Sequence, residues 1–254
     1  ASASPAPAKE FVDDKKLKAV EAEKNITLFL GHHAYGVEMK DDKIAAVKVV
    51  DVEGNKIKRV SGRLFSDCTG HGFIALWAKA DTKMAEKGRM GMSNMWMWEN
   101  QPAEVKFAEQ PWMYTFNKDQ FPYPRVRHGF GHAEWFWEAG YDDHPINDLE
   151  SIRDLNLLAA FSAWNSIKNH AVYADRDPNG HKNAALTWLA YVGGTRETVQ
   201  ILGDVELTGK DIIEKKPFND ATVHTTWSID LHYPVDKYKD SIPGKPFISR
   251  AVHG

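Results

Sequence analysis

The chain has little of several features that would define a function class. It contains one cysteine, Cys68, among 254 residues, which excludes an intrachain disulfide and any metal or iron–sulfur site built from several cysteines. No run approaches the roughly 20 consecutive apolar residues of a membrane-spanning helix. The formal net charge is −3, and Lys and Arg are spread along the chain. We therefore expect the partner to be a small molecule and not nucleic acid or a membrane.

Histidine and carboxylate residues do not complete a metal motif. His132 and Glu134 would share one face of a strand, and His128 lies nearby, but a third ligand at a suitable spacing is lacking. No metal site is predicted. Cys68 follows a predicted strand, and we expect it to be a small buried residue rather than a reactive thiol.

Nine tryptophans stand out against these absences. Aromatic residues at this density either line a cleft for a flat or sugar-like ligand or fill a large core, and both interpretations stay open. With 43% apolar residues, the chain has enough apolar side chains for one large domain or two smaller ones. The tryptophans are Trp77, Trp96, Trp98, Trp112, Trp135, Trp137, Trp164, Trp188 and Trp227.

The first 80 residues predict short antiparallel strands. A helix is expected over 14–22, and NITLFL (25–30) has the alternation of a strand. A meander follows, with turn residues at 41–42 and 54–55. The stretch FSDCTGHGF (65–73) predicts the end of a strand, a glycine turn and the start of a helix that runs to about residue 80.

From residue 81 the composition shifts toward Met, Trp, Pro and His, which places a domain boundary there. MGMSNMWMW (90–98) predicts a half-buried strand with Met90, Met92, Trp96 and Trp98 on one face. Further strands are expected at 185–192, 198–203 and 222–231, with a short helix near Thr208. We therefore expect a flexible tail (1–12), a first domain (13–80) and a second domain (81–254).

Residues 148–172 give the clearest helical pattern. We expect this helix to begin with a capping box formed by Asn147 and Glu150. It should pack through one apolar stripe and carry no catalytic group. The stripe consists of Ile152, Leu155, Leu158, Phe161 and Trp164.

The glycine turn permits two interpretations. Gly70, Gly72 and Ala75 match the G-x-G-x-x-A fingerprint that places a pyrophosphate at a helix N-terminus. That fingerprint belongs to the first strand of a βαβ unit, whereas an antiparallel meander precedes the turn here. The order of meander, strand end, DCTG turn and helix indicates that the turn follows a late strand of a nucleotide-binding domain and not its first strand.

This order resembles the end of the flavin-binding domain in FAD-dependent oxidoreductases of the glutathione-reductase-like superfamily. DCTGHGFIA (67–75) is similar to the family's DATGDGDLA, and NITLFLGHHAYGVE (25–38) is similar to its strand pair beside the adenine. GGTRETVQILGDVELTGKDI (193–212) looks like the family's G-x-R-E-S-R-R-I-x-G-D-Y-x-L-T motif. FNDATVHTTWSIDLHYP (218–234) looks like its F-x-D-x-V-A-x-G-x-W-x-I-D-x-H-x-P motif.

The resemblance implies FAD as the cofactor and assigns residues to it. Ala34 would lie at the adenine, and the other cofactor-binding candidates are Asp67, Thr69, Gly70 and Gly72.

The second domain offers Arg196, Asp230 and His232 as catalytic candidates. Asp230 and His232 are two residues apart in a predicted strand, where a carboxylate can fix an imidazole's tautomer for proton transfer. The alternative is a structural pair without a catalytic role. Arg196 would present a cation to an anionic substrate or a reduced flavin, or would form a structural ion pair with Glu197. We expect the three candidates to share one cleft.

The expected fold is therefore mixed α/β: an antiparallel meander and strand from an FAD-binding domain, followed by a mixed sheet and helix substrate domain. The family's first G-x-G-x-x-G unit and its C-terminal flavin segment are not found, so we expect a partial chain that alone holds FAD weakly or not at all. Uncovered strand edges would then be left exposed or would pair with a second copy, as a homo-oligomer. The alternative is a non-catalytic carbohydrate-binding or small-ligand-binding module with a Trp-lined cleft.

Overall fold

The computed structural model describes residues 13–117, 137–172, 181–221, 230–234 and 249–253. Helices and antiparallel strands are both present, so the predicted mixed α/β class is confirmed. The described elements are α1 (Asp13–Glu21), β1 (His32–Lys40), β2 (Lys43–Asp51), β3 (Lys56–Ser61), α2 (Phe73–Trp77), β4 (Thr82–Lys83), β5 (Met92–Asn94), β6 (Trp96–Asn100), β7 (Trp137–Ala139), α3 (Leu149–Asn169), β8 (Ala184–Leu189), β9 (Gln200–Ile201), α4 (Gly209–Ile213), β10 (Asp230–Pro234) and β11 (Ser249–His253).

These elements fall into two compact units. The first, which we call the meander unit, is built from Val12–Met84 with Thr198–Trp227 and contains α1, β1 to β4, α2, β9 and α4. The second, which we call the tryptophan unit, is built from Ala85–Glu197 with Ser228–Gly254 and contains β5 to β8, α3, β10 and β11. In the part of the chain that the structure describes, no helix has the length and apolarity needed to cross a membrane.

The meander unit is organised around an antiparallel sheet in the order β1, β2, β3. Its two tight turns use the residues expected from the sequence: Asp41 and Asn55 adopt φ of 53° and 50°, a left-handed conformation that Asp and Asn tolerate better than most residues. The β1–β2 register shifts between Ala34 and Gly36, so a bulge lies at the start of the sheet.

Two stretches that were predicted as strands are not strands. NITLFL (25–30) has the composition of a strand, yet no described strand pairs with it, and Ile26, Phe29 and Leu30 are exposed. β3 ends at Ser61, and the following residues through 69 have no ladder partner either. β-propensity describes a side chain that fits a half-buried pleated surface, and neither stretch lies in such a surface.

The prediction that Cys68 is buried is wrong, because its thiol is free and exposed. The extended stretch before the glycine turn still alternates in burial. Phe65 and Asp67 are partly buried, whereas Leu64 is 92% exposed and Cys68 faces outward with it. The period of two therefore places Cys68 on the outer side.

In the tryptophan unit, the stretch 90–98 forms two strands instead of one. β5 pairs with β7 and β6 pairs with β8, with a break at Met95. All three residues of β5 are buried, so this strand is covered on both faces. Trp96 and Trp98 are both buried, as the predicted face requires.

α3 packs on β5 and β7 and supplies half of the buried residues in the core cluster around the tryptophans. Ile152 and Trp164 are buried as expected, but Leu155 and Leu158 are only partly buried. The predicted capping box is wrong. The N-cap residue is Asp148, which makes no side-chain cap; its carboxylate accepts a hydrogen bond from the His144 amide instead, at 2.9 Å. The fully buried small residues of α3 are Ala159, Ala160, Ser162, Ala163 and Ser166.

In the tryptophan unit, the five tryptophans with described side chains divide between core and surface. Trp96, Trp98 and Trp164 are at most 3% exposed, with ring centroids of Trp96 and Trp164 5.6 Å apart. These three fill the core. Trp112 and Trp188 are 51% and 47% exposed.

Later elements lie near their predicted positions. β8 begins at Ala184, β9 is only two residues long, and α4 begins after Thr208 as expected. The predicted strand at 222–231 lies largely outside the described residues and is seen only from Asp230, where β10 begins.

Candidate functional site

The turn at 67–72 in the meander unit is held by the Asp67 carboxylate. Oδ1 accepts hydrogen bonds from the Thr69 amide at 3.0 Å and from the Thr69 hydroxyl at 2.7 Å. Oδ2 accepts from the Ala75 amide at 3.1 Å, in the first turns of α2. The Thr69 hydroxyl also accepts from the Phe73 amide at 3.1 Å. Asp67 and Thr69 therefore shape the turn from within.

The environment of Asp67 favours its ionised form. Partial burial acts to raise its pKa, but the combined hydrogen bonds from the Thr69 hydroxyl and amide and from the Ala75 and Ile74 amides lower the pKa below its usual value. The turn thus contains a permanent negative charge near neutral pH. Both carboxylate oxygens accept hydrogen bonds from protein donors.

The two glycines of the turn have different surroundings. Gly70 has φ of 78°, and a Cβ built on it would meet nothing within 4 Å. Gly72 has φ of 67° and would place a Cβ 3.7 Å from Val199. The Gly70 carbonyl accepts a hydrogen bond from the Thr198 hydroxyl at 3.1 Å. The backbone at Gly70 is therefore open to close approach by a ligand, whereas Gly72 packs against the segment that leads to β9.

The structure does not support the pyrophosphate interpretation of G-x-G-x-x-A. The amides at the start of α2 donate to the side chains of Asp67 and Thr69, and α2 is only five residues long. These amides are therefore already used inside the turn. Between the two glycines, Nδ1 of His71 is buried without a hydrogen-bond partner among the described residues. A buried polar atom of this kind is typical of a site that a ligand completes.

Ala34, the adenine candidate, lies in β1 opposite Val49 and is partly buried. It precedes the β1 bulge, where the strand departs from regular pairing. Ala34 and the 67–72 turn both belong to the meander unit.

In the tryptophan unit, a buried carboxylate lies in a chain of hydroxyl groups. Glu138 on β7 is fully buried. Its Oε1 accepts from the Ser93 hydroxyl at 3.0 Å and its Oε2 accepts from the Tyr141 hydroxyl at 3.1 Å. Ser93 lies directly opposite Glu138 in the β5–β7 ladder, which places both side chains on one face.

Arg196 approaches this chain from the next segment. Its Nη1 lies 3.4 Å from the Ser93 hydroxyl oxygen. The adjacent Glu197 carboxylate accepts a hydrogen bond from the Met90 amide at 2.8 Å, so Arg196 and Glu197 do not pair with each other. The structural ion pair considered for these two residues is therefore not formed.

The remaining candidates cannot be placed in the same way. Asp230 and His232 lie two residues apart in β10, where the register pairs Asp230 with His253 and His232 with Ala251. Their side chains, like residues His128, His132 and Glu134, lie outside what the structure describes. The shared cleft of Arg196, Asp230 and His232 stays a prediction.

Sequence reasoning missed Thr198, Ser93 and Glu138. Thr198 lies inside the quoted GGTRETVQ motif, so the motif pointed to the correct segment but not to this hydroxyl. Ser93 lies in MGMSNMWMW (90–98), which was interpreted from its apolar residues alone. Glu138 follows three consecutive aromatic residues. Only the β5–β7 pairing brings these two together.

Comparison with known proteins gives one finding. The model of the FAD dependent oxidoreductase family matches residues 7–247. Searches of curated proteins and of solved structures give no match. The family match extends over nearly the whole chain and includes the Asp67–Gly72 turn and Arg196. The chain therefore belongs to the FAD dependent oxidoreductase family.

Proposed function

We propose that this protein uses FAD to oxidise or reduce a small organic substrate, with the FAD bound at the 67–72 turn. The observation that carries the proposal is the Gly70 backbone, which is open to solvent at positive φ in a turn that Asp67 and Thr69 hold from within. When bound, the flavin supplies the electron-transfer chemistry.

The chain's own residues have distinct proposed roles. Gly70 allows the dinucleotide to approach the backbone, and Ala34 leaves room for the adenine. Asp67 and Thr69 position the turn for the cofactor. In the tryptophan unit, His232 is the proposed proton-transfer group, with Asp230 fixing its tautomer, and Arg196 the proposed cation for the substrate.

We also propose a sugar-like substrate, and the support for this is limited to the exposed tryptophans. Because Trp96, Trp98 and Trp164 are buried in the core, they offer no platform for a sugar ring. Only Trp112 and Trp188, among the tryptophans with described side chains beyond residue 85, expose about half of their surface. Substitution of these two residues by alanine would test this proposal by its effect on substrate affinity.

The FAD site can be tested with a matched pair of glycine variants. Gly70 and Gly88 have φ of 78° and 80°, and a Cβ at either position meets nothing within 4 Å. Alanine at either site should therefore cost a similar stability, about 1 kcal/mol for the left-handed conformation. We expect Gly70→Ala to weaken FAD binding in equilibrium dialysis, while Gly88→Ala leaves it unchanged. Equal FAD binding by both variants would place the cofactor elsewhere.

A further inference from the structure

The sheet face that carries Ser93 and Glu138 opens at a glycine. Ser93 pairs with Glu138 on one side and, through two backbone hydrogen bonds of 3.1 and 2.7 Å, with Gly194 on the other. Directly paired residues share a face of a sheet. Ser93 and Glu138 are buried, whereas Gly194 is exposed and has no side chain to cover them. Gly194 is therefore the point at which this face, covered at Ser93 and Glu138, reaches the surface.

Arg196 lies at this opening with most of its donors unused. A guanidinium has five N–H donors. Arg196 is partly buried, and the Ser93 hydroxyl is its one hydrogen-bond partner among the described residues. The neighbouring Glu197 carboxylate is engaged by the Met90 amide. A partly buried cation with free donors beside an open glycine suits an anionic ligand.

Glu138 fixes the orientation of the Ser93 hydroxyl. A hydroxyl has a single proton, and Ser93 donates it to Glu138 Oε1 at 3.0 Å. The Ser93 oxygen must then present lone pairs to any other partner. The partner in the structure is Arg196 Nη1, which donates to it at 3.4 Å. The buried carboxylate thus positions the guanidinium through the hydroxyl group between them.

We propose that this face binds the carboxylate of the substrate, with Arg196 as the anion contact and Glu138 as a positioning residue that acts through Ser93. This inference rests on the proposed function and adds the class of substrate, a small monocarboxylate. A planar carboxylate matches the fork of a guanidinium. One guanidinium balances the single charge of a carboxylate, whereas a phosphate dianion would leave a negative charge uncompensated.

The anion contact is tested with propionate as the probe and propionamide as its neutral isostere, in the absence of FAD. Phenylglyoxal modification of each arginine is followed by peptide mass mapping. We expect propionate, but not propionamide, to protect Arg196 from modification, and to leave Arg153 unprotected. Arg153 is the internal control because it already pairs with Asp154 at 2.8 Å and belongs to the same unit. Equal protection by the two probes, or no protection of Arg196, overturns the proposal.

The positioning role is tested with Ser93 variants. Ser93→Ala removes the oxygen that orients the guanidinium but leaves the charge of Arg196, so we expect propionate affinity to fall about tenfold. Ser93→Thr keeps the hydroxyl and should restore most of that affinity. Arg153→Gln should leave the affinity unchanged. Wild-type affinity in Ser93→Ala overturns the role of Glu138. FAD binding is measured separately by dialysis. If the wild-type protein binds FAD but not propionate, the carboxylate site is contradicted and the proposed FAD site is not.

Discussion

The Asp67 carboxylate joins the two ends of the 67–72 turn. One oxygen is bound by Thr69 and the other by the start of α2. Since hydrogen bonds to an ionised group contribute more than neutral ones, this single residue accounts for much of the order in the turn. Any ligand that contacts the Gly70 backbone depends on it indirectly.

Asp67→Asn should destabilise the protein by about 1–3 kcal/mol. Asparagine can keep the bonds to Thr69 through its carbonyl oxygen, but it places an amide donor opposite the Ala75 amide, which is also a donor. Urea denaturation measures the change. Asp42→Asn, at an exposed position in the β1–β2 turn, is the control and should lie close to wild type. Equal stability of both variants would contradict the role given to Asp67.

Acid should remove the contribution of Asp67. Its pKa is lowered in the folded protein, so its stabilisation is fully present above the unfolded pKa of about 4 and is lost as the pH falls through the lowered folded pKa. Between neutral pH and pH 3, we expect wild type to lose more stability than Asp67→Asn. Parallel denaturant midpoints for the two proteins over this range would show that Asp67 is not the titrating group.

For single residues of the turn, the sequence predicted the location but not the role of each residue. The resemblance selected Asp67, Thr69, Gly70 and Gly72 together. It could not separate the side chains that build the turn from the glycine that leaves it open. That distinction depends on the left-handed conformation at Gly70 and on the Thr198 hydroxyl, which approaches from residues far along the chain.

At the scale of elements, α4 is stabilised at its start. Thr208 and Asp211 form a capping box: the Thr208 hydroxyl oxygen accepts from the Asp211 amide at 3.2 Å, and Asp211 Oδ2 accepts from the Thr208 amide at 2.9 Å. The hydrogen bonds from the Thr208 hydroxyl and amide, with a further bond from Lys216, lower the pKa of Asp211 to about 2. The box should therefore persist in moderately acidic solution.

Thr208→Ala should expose the first turn of α4 to hydrogen exchange. Loss of an N-cap costs about 1 kcal/mol, which corresponds to roughly fivefold faster exchange of the amides it protects. Because the pKa of Asp211 is about 2, protection in the wild type should be retained from neutral pH and lost only as the pH approaches that value. Thr208→Ser keeps the cap and serves as the control. Unchanged exchange in Thr208→Ala would exclude the cap as the source of protection.

α3 should be sensitive at its buried positions and less so at its large half-buried ones. Ile167 is 1% exposed, so Ile167→Ala should cost about 2–5 kcal/mol through the cavity it leaves. Leu158 is partly buried and should cost less when changed to alanine. Thermal or urea unfolding compares the two variants. A larger loss for Leu158→Ala would mean that the packing face of α3 lies where the sequence placed it.

The predicted stripe on α3 followed the large apolar residues, as hydrophobic periodicity does. The structure instead buries Ala159, Ala160 and Ala163 completely. Small residues allow a helix to approach a sheet closely, and Gly140 shows how close: a Cβ there would lie 2.6 Å from the Ile152 side chain. Which apolar residues face the core depends on the position of β5 and β7, and the sequence of α3 alone does not contain that information.

At the scale of the whole molecule, the order of elements was predicted better than their partners. The meander, α3 and α4 were all placed near their observed positions. The pairing of Thr82–Lys83 with Gln200–Ile201 was not predicted, because these segments are separated by nearly half of the chain and carry no shared periodicity. Long-range pairing of short strands depends on tertiary structure.

The two compact units should be distinguishable during unfolding. The core tryptophans Trp96, Trp98 and Trp164 all belong to the tryptophan unit, whereas the β1–β3 sheet belongs to the meander unit. We expect tryptophan fluorescence and hydrogen exchange of the β1–β3 amides to give different urea midpoints, since each reports mainly on a different unit. Superimposable transitions by both probes would show that the units unfold as one.

The central claim is that FAD binds this protein at the 67–72 turn. The most direct test is a ¹H–¹⁵N NMR titration of the intact chain with FAD, carried to concentrations high enough to saturate a weak site. We expect progressive shifts of the Gly70, His71, Gly72 and Ala34 amides, with the Gly88 amide unmoved. Absence of shifts at saturating FAD, or shifts confined to the tryptophan unit, would contradict it.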